Sequence, residues 1–384
     1  MNNLNRSMNT VHYQMKILWL AHRDPMHPKA GGAERTIMEL CSRFSEMGYG
    51  VTVLSARWQG SGKIEKLHGF TIQRFGGNVL LHFYAPLYIM KKKPDLVIND
   101  LGHAVPWPSS TLLRKKMLVF FRHLHARSLP GQVNQILASF ITGVEKLYFL
   151  IYPNTIFITE STTSVADLSR LGMDKKNIIQ IQPGVDLNLY LQSDKTSEPS
   201  IIYFGGMRKY KRPEEAIHIF HDVFATTPSL KLTVVGTGPE LKSLKDLVKT
   251  YRLDKNVTFT GRVPDEVLPS IISRSWLNIH TSITEGWGYS ILEASAAGTP
   301  TVAYSVPGVV DAIEDGKNGL KVEDGNRGAF VDAVLKILGD PKPWWNSSHT
   351  VAEKYSWDES ARNWNEIMKR VFHKEANNRQ EEKR

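Results

Sequence analysis

Two glutamates eight residues apart, Glu285 and Glu293, bracket the stretch TEGWGYSILEAS at residues 284–295. A strand pattern, SWLNIHTS, runs up to Ser282. Gly286 and Gly288 form a loop, and YSILEASAAG reads as a helix closed by Gly298 and Pro300. The first N–H groups of such a helix, near Ser290 and Ile291, have no intrahelical acceptor and can hold phosphate oxygens. Glu285 precedes the helix and Glu293 sits about one turn inside it, so the carboxylates flank the anion position from two sides. Carboxylates repel phosphate unless they address neutral hydroxyls, and a general acid–base pair would face a single bond. Two sugars on either side of a diphosphate satisfy both carboxylates.

Three other loops carry candidate chemistry. In HRDPMHPKAGGAER (22–35), Gly31 and Gly32 stand directly before a helical pattern and allow close backbone approach to an anion. In KMLVFFRHLHARS (116–128), His123 and His125 lie at or beyond the end of a strand pattern. Two residues apart on a continuing strand, they would face one side and reach a sugar hydroxyl. The alternatives are a metal pair, which lacks a nearby third ligand in sequence, or one surface and one core histidine. In YFGGMRKYKRPEEA (203–216), Arg208, Lys209, Lys211 and Arg212 cluster between Gly205–Gly206 and a helix opened by Pro213, an arrangement suited to a diphosphate.

These loops need strands to position them. Short apolar runs at 15–21, 50–56, 70–75, 95–100, 116–123 and 154–160 alternate with helical patterns, and the alternation restarts at 200–206, 230–238, 256–263, 276–282 and 299–305. Such alternation predicts parallel sheets covered on both faces. The expected organisation is a flexible tail at 1–14, a Rossmann-like domain at 15–190, a linker at 191–199 and a second Rossmann-like domain at 200–356. A helix at 357–375, with Asp358 as its N-cap, packs back on the first domain, and a polar tail follows at 376–384. Ligands of doubly wound sheets bind at the carboxyl ends of the strands, which predicts a site in a central cleft faced by both domains.

At 384 residues the chain is long enough for two domains. With 41% hydrophobic and 22% charged residues and one cysteine, Cys41, it reads as a soluble protein of a reducing compartment without an internal disulfide. The expected location is cytoplasmic. The stretch 136–152 carries Glu145 and Lys146 and is short for a membrane span; it reads as a buried or amphipathic helix, with a membrane-surface helix as the alternative. Residues 1–195 hold 23 Lys and Arg against 13 Asp and Glu, and the remainder holds 25 of each, so the net +10 belongs to the N-terminal half. That asymmetry points either to an anionic partner or to a merely solvated basic surface. No helix-turn-helix, zinc-finger or RNP pattern supports nucleic acid.

Together, EGWGYSILEASAAGTPTVA, GGAER, KYKRPEEA, GTGPE, VTFTGRVP and VPGVVDAIEDGKNGL occur in the order found in the retaining family 4 glycosyltransferases, and the resemblance covers residues 15–373. It implies the GT-B fold, a nucleotide-sugar donor bound mainly by the second domain, and a glycan or lipid-linked acceptor held mainly by the first. By this similarity Glu293 holds the ribose hydroxyls and Glu285 those of the transferred hexose. Backbone at Ser290 and Ile291 and the Lys211 side chain hold the diphosphate, and Gly31 and Gly32 let the first domain close over it. The base stacks near Arg262 and Val263. His123 touches the donor sugar, with His125 as the alternative. Gly206, Arg208, Gly286, Gly288 and Tyr289 complete the donor-binding set. Gly206 departs from the family, which usually has arginine there; Arg208 is two residues away. The resemblance implies retention at the anomeric carbon, with Lys211 and the helix N-terminus stabilising the leaving diphosphate and no metal or cofactor. An anionic face of the cytoplasmic membrane is an expected peripheral partner of the basic half. The competing readings are a GT-B sugar-nucleotide epimerase and a catalytically impaired nucleotide-sugar-binding protein.

Overall fold

The computed structural model describes residues 14–381, apart from 103–104, 108–110, 112, 114–115 and 130–132. The expected N-terminal tail, but for Gln14, and residues 382–384 lie outside the described residues. Strands β1 (Lys16–Leu20), β2 (Gly50–Ser55), β3 (Ile64–Leu67), β4 (Phe70–Arg74), β5 (Leu96–Asp100), β6 (Met117–Phe121), β7 (Ile156–Thr159) and β8 (Ile178–Gln180) form one sheet in the order β3-β4-β2-β1-β5-β6-β7-β8. Strands β9 (Ser200–Phe204), β10 (Lys231–Val235), β11 (Val257–Gly261), β12 (Leu277–His280), β13 (Thr301–Tyr304) and β14 (Gly319–Val322) form a second, in the order β11-β10-β9-β12-β13-β14. Both are Rossmann-like. Strands β1, β2, β4 and β5, strands β7 and β8, and strands β9 to β14 pair in parallel, whereas β3 and β4 form an antiparallel hairpin whose turn uses positive φ at His68 and Gly69. The short β3, β8 and β14 were not expected from the sequence pattern.

The helices are α1 (Gly32–Glu46), α2 (Asn78–Lys92), α3 (Gln135–Glu145), α4 (Tyr148–Ile151), α5 (Thr162–Arg170), α6 (Pro213–Phe224), α7 (Leu241–Thr250), α8 (Leu268–Arg274), α9 (Tyr289–Ala296), α10 (Arg327–Gly339), α11 (Lys342–Ala352) and α12 (Trp357–Glu381). Most are amphipathic: α1 buries Ile37, Leu40, Cys41 and Phe44, the i, i+3, i+4, i+7 spacing of one helical face. Helix α12 runs six residues beyond the expected 375, and its N-cap is Ser356 rather than Asp358. The Ser356 hydroxyl accepts from Asp358 N at 3.2 Å and lies 3.4 Å from Glu359 N.

The chain divides into two compact units. The first gathers the described residues up to Asn99, with Trp107–Leu118 and the residues from Asn365 on; the second holds Asp100–Pro106 and Val119–Trp364. The chain passes between the units after Asn99, Pro106, Leu118 and Trp364. The expected linker is itself bound to the second unit: Lys195 Nζ donates to Ser275 O and Thr299 Oγ1, and Trp276 Nε1 donates to Thr196 O. Within the first unit, Tyr49 donates to Asn365 Oδ1 at 2.5 Å and Lys116 Nζ to Phe372 O at 2.6 Å, which ties the later part of α12 to it.

The core of the second unit lies around β9, β10, β12 and β13, whose Ile201, Ile202, Val234, Leu277, Ile279, Val302 and Tyr304 are buried. The stretch expected as a buried or amphipathic helix at 136–152 forms two helices, α3 and α4, with one face turned inward and one exposed. In α3 only Glu145 is buried, and in α4 only Tyr148. Ala138, Ile141 and Thr142 are half-buried on the same face as Glu145, and Tyr148 and Tyr152 are fully buried, so the stretch is amphipathic rather than buried throughout.

Candidate functional site

All but two of the sequence-predicted site residues lie in the second unit; Gly31 and Gly32 belong to the first. Gly31 caps α1 in extended conformation, and its N–H donates to Glu34 Oε2 at 2.8 Å. Glu34 is in turn held by Arg23 Nε at 3.1 Å.

In the second unit, the carboxyl ends of four adjacent strands present the donor-side candidates. After β9 come Gly205–Arg208. Arg208 is exposed, and a Cβ added at Gly206 would lie 3.8 Å from Arg208 Nε, so the arginine folds back over the glycine. After β10, Gly236 and Gly238 pack directly on this turn: added Cβ atoms would lie 2.0 Å from Gly205 O and 2.3 Å from Met207 O. Only glycine permits that approach. Arg262 and Val263 follow β11, and Val263 packs against the core of this unit. After β12 runs the Glu285 loop.

Lys211 ends the 3-10 turn 209–211, and its ammonium pairs with Glu285 Oε1. Ser282 donates to the same oxygen at 2.7 Å, and His280 Nε2 lies 3.2 Å from it. Among the described residues, the partners of this carboxylate thus gather on Oε1. Burial alone would raise the Glu285 pKa, but Lys211, helped by His280, outweighs it and holds the carboxyl well below the usual range. Arg212, expected among the diphosphate cations, is committed elsewhere. With φ 46° it turns its guanidinium onto Thr281 O (2.7 Å), Ser282 O (3.1 Å) and Asp324, bracing the loop that carries Glu285.

Helix α9 opens after Gly288. The expectation of two unpaired N–H groups needs correction: Ile291 N donates to Gly288 O at 2.9 Å, because the first turn is tightened. Ser290 N has no acceptor among the described residues, and its hydroxyl lies 3.1 Å from His280 Nδ1. His280 therefore touches both the helix opening and Glu285. Glu293 lies one turn into α9, half-buried. Tyr289 reaches across to Glu160, which is buried and whose carboxyl is pushed up by that burial.

His123 and His125 separate in role. Strand β6 ends at Phe121, so the two histidines are not on a continuing strand; His125 instead opens a 3-10 turn at 125–127. Its Nδ1 faces Glu145 Oε1 at 3.2 Å and its Nε2 faces Gly102 O at 3.2 Å, which leaves neither nitrogen for a sugar. His123 stacks on it with centroids 4.7 Å apart. The His123 Nδ1 atom is buried without a hydrogen-bond partner, 3.4 Å from where a Cβ on Gly286 would lie. Burial, reinforced by His125, pushes its pKa down to about 3, so the ring is neutral at physiological pH.

Beneath His123, the buried Arg122 pairs with Asp100 at 2.9 Å and lies 3.6 Å from Glu160. Arg122, Asp100, Glu160, His280 and Gly308 were not anticipated as parts of the site. Gly308 has φ +78°, and its added Cβ would lie 2.2 Å from Glu285 O, while Glu285 N donates to Pro307 O. The sequence signal for Gly308 was present in VPGVVDAIEDGKNGL. For the buried carboxylates there was none, because they stand 22 and 38 residues from Arg122. Among the described residues no group of three His, Cys, Asp or Glu could hold a metal ion.

A Glycosyltransferase Family 4 model matches residues 30–189, and a Glycosyl transferases group 1 model matches residues 192–368. Sucrose-phosphate synthase from Thermosynechococcus elongatus superposes with a TM-score of 0.81 at 20% identity, covering 94% of this chain and 100% of that one. Anabaena HepE in complex with UDP-glucose gives 0.75 at 19% identity, covering 93% and 100%. N-acetyl-alpha-D-glucosaminyl L-malate synthase of Bacillus anthracis is 25% identical over 259 residues, 65% of this chain and 67% of its own. D-inositol 3-phosphate glycosyltransferase of Nocardia farcinica is 28% identical over 187 residues, 44% and 41%. The match thus spans about two thirds of the first relative and less than half of the second. The fold is that of the GT-B glycosyltransferases. The chain belongs to the family 4 type among them, as the two family models together show.

Proposed function

We propose that this glycosyltransferase moves a hexose from a nucleoside diphosphate sugar to a hydroxyl acceptor, a glycan or lipid-linked sugar, with retention at the anomeric carbon. The observation that carries this reading is Glu285: its Oε1 is saturated by Lys211 and Ser282, and its Oε2 meets no donor among the described residues. A carboxylate pinned by one oxygen presents the other to sugar hydroxyls in a fixed direction. The neutral His123 and the Ser290 N–H supply a hydrogen-bonding ring and an anion-binding donor. Glu293 takes the ribose hydroxyls, and Arg262 and Val263 flank the base. The bond between the anomeric carbon and the diphosphate oxygen breaks, and a bond from the acceptor oxygen forms on the same face. The acceptor's proton passes to the departing phosphate oxygen. Lys211 and the start of α9 stabilise the charge that develops on the leaving group, the main catalytic term in this reading, and no metal is required. Binding of UDP-glucose by the structural neighbour HepE supports a donor of this kind.

The test is a screen of nucleotide sugars by thermal shift, followed by transfer to sugar acceptors and proton NMR of the new linkage. An inverted anomeric configuration sinks the retaining reading, and donor turnover that survives Glu285→Ala sinks the assigned role. Gly206 favours one second reading, a protein that binds the donor without turning it over; donor binding with no transfer and no hydrolysis would establish it.

A further inference from the structure

Helix α2 is apolar on two faces. Leu81, Ala85, Tyr88 and Ile89 are buried on one, while Val79, Leu80, Phe83, Leu87 and Met90 are between 57% and 73% exposed. At about 100° per residue the five exposed residues fall within an arc of about 100°, a continuous stripe. Helix α2 contains no acidic residue and ends in Lys91 and Lys92, followed by Lys93, all exposed. The second unit carries a surface of the same make-up. Along α3 and α4, Ile136, Leu137, Phe140, Leu147, Phe149 and Leu150 are 42–84% exposed; the one acidic residue of that stretch, Glu145, is buried, and Lys146 is exposed.

We propose that each of these two surfaces docks on an anionic lipid bilayer. Long aliphatic and phenylalanine side chains beside lysines, with acidic groups absent or buried, match an interfacial helix seated at the boundary of headgroups and acyl chains. A protein-binding face would instead be depleted in lysine, whereas Lys91, Lys92 and Lys93 adjoin the stripe of α2 and Lys146 follows α3. Charge complementarity selects the anionic bilayer: the whole net +10 resides in residues 1–195, which hold both surfaces. No helix of the structure among the described residues is long and apolar enough to cross a membrane, so the contact is peripheral.

The surface of α3 and α4 reaches the candidate site of its own unit through one residue. Glu145, the last residue of α3, accepts from His125 N at 2.6 Å and from Ala126 N at 3.2 Å and faces the His125 ring, which stacks on His123. A bilayer under α3 therefore lies beside the proposed reacting centre, and the acceptor class this selects is a lipid-linked hydroxyl. That consequence rests on the proposed transfer reaction; the docking itself does not.

The experiment is co-sedimentation of the full chain with phosphatidylcholine vesicles and with phosphatidylcholine–phosphatidylglycerol vesicles, at low and high salt. Nucleotide-sugar binding by thermal shift is measured in parallel as an independent readout. The wild type is expected to partition onto the anionic vesicles and to be released by salt. Phe83→Glu with Leu87→Glu, and separately Phe140→Glu with Phe149→Glu, each lower partitioning at least tenfold with the thermal midpoint and donor binding unchanged. Replacing Lys91–Lys93 by glutamine lowers partitioning by about fivefold per lysine. Absence of wild-type binding to anionic vesicles at low salt overturns the proposal, as does a stable dimer whose dissociation follows the Phe83 or Phe140 substitutions. Loss of donor binding in wild type with vesicle binding intact would instead overturn the proposed reaction.

Discussion

Lys211 and Glu285, 74 residues apart, form an ion pair through a single carboxylate oxygen, with Ser282 on the same oxygen. The pair fixes which way the other oxygen faces. Glu285→Gln removes the charge that holds Lys211 and is expected to lower kcat about 100-fold or more, with a smaller change in the donor KM. Lys211→Met withdraws the cation from both Glu285 and the leaving diphosphate, and kcat/KM falls by about 100- to 1000-fold. Steady-state kinetics check both, and the thermal midpoint of Lys211→Met should also fall, because it leaves a partly buried carboxylate without its partner.

Acid should destabilise the protein in two stages. The unfolded chain protonates His123 near 6.5, whereas in the folded protein it accepts a proton only near pH 3. The unfolded state thus binds more protons between those values, so the His123 contribution is complete above 6.5 and is lost as pH falls through this window. Glu285, whose folded pKa lies below its ordinary 4.5, contributes above that value and loses its contribution as pH falls further. Thermal midpoints measured from pH 7.5 to 4 should decline, and His123→Asn should flatten the upper part of that decline. An unchanged slope in the variant contradicts the burial of a neutral His123.

Gly308 and Gly286 press on the site from opposite sequence directions. At Gly308 an added methyl combines a left-handed backbone with a 2.2 Å approach to Glu285 O, so Gly308→Ala should cost more than about 2 kcal/mol and displace the loop that carries Glu285. At Gly286 the nearest atoms, Arg122 O at 3.1 Å and His123 Nδ1 at 3.4 Å, allow a shift of a few tenths of an ångström. Gly286→Ala should therefore fold with a smaller loss. Denaturant unfolding of the two variants should rank them in that order.

Arg208 is the cation that lies against Gly206. Its side chain folds over Gly206, and its charge acts on Lys211. Arg208→Ala is expected to raise the donor KM about tenfold or more, and Gly206→Arg added to it should restore part of that loss. If the single substitution leaves KM and kcat unchanged, Arg208 has no part in diphosphate binding.

The two-sheet architecture was readable from the alternation of apolar strands and helices, and eleven strand runs lie where the pattern predicted them. The Gly-rich turns after β9 and β12 and the helix starts that follow them were likewise legible, since turn chemistry and helix starts are written in adjacent residues. Tertiary structure decided the rest. It tightened the first turn of α9 and took Ile291 N–H out of use. It spent His125 on Glu145 and Gly102, and it assembled Arg122, Asp100 and Glu160 beneath His123. It also left α2 and α3 with apolar residues facing outward, where periodicity alone implies a core. Local patterns report which backbone conformation a segment prefers and which residues share its face. Which face is covered, and which hydrogen-bonding atom is already engaged, depends on partners tens of residues away, and only the folded chain brings those together.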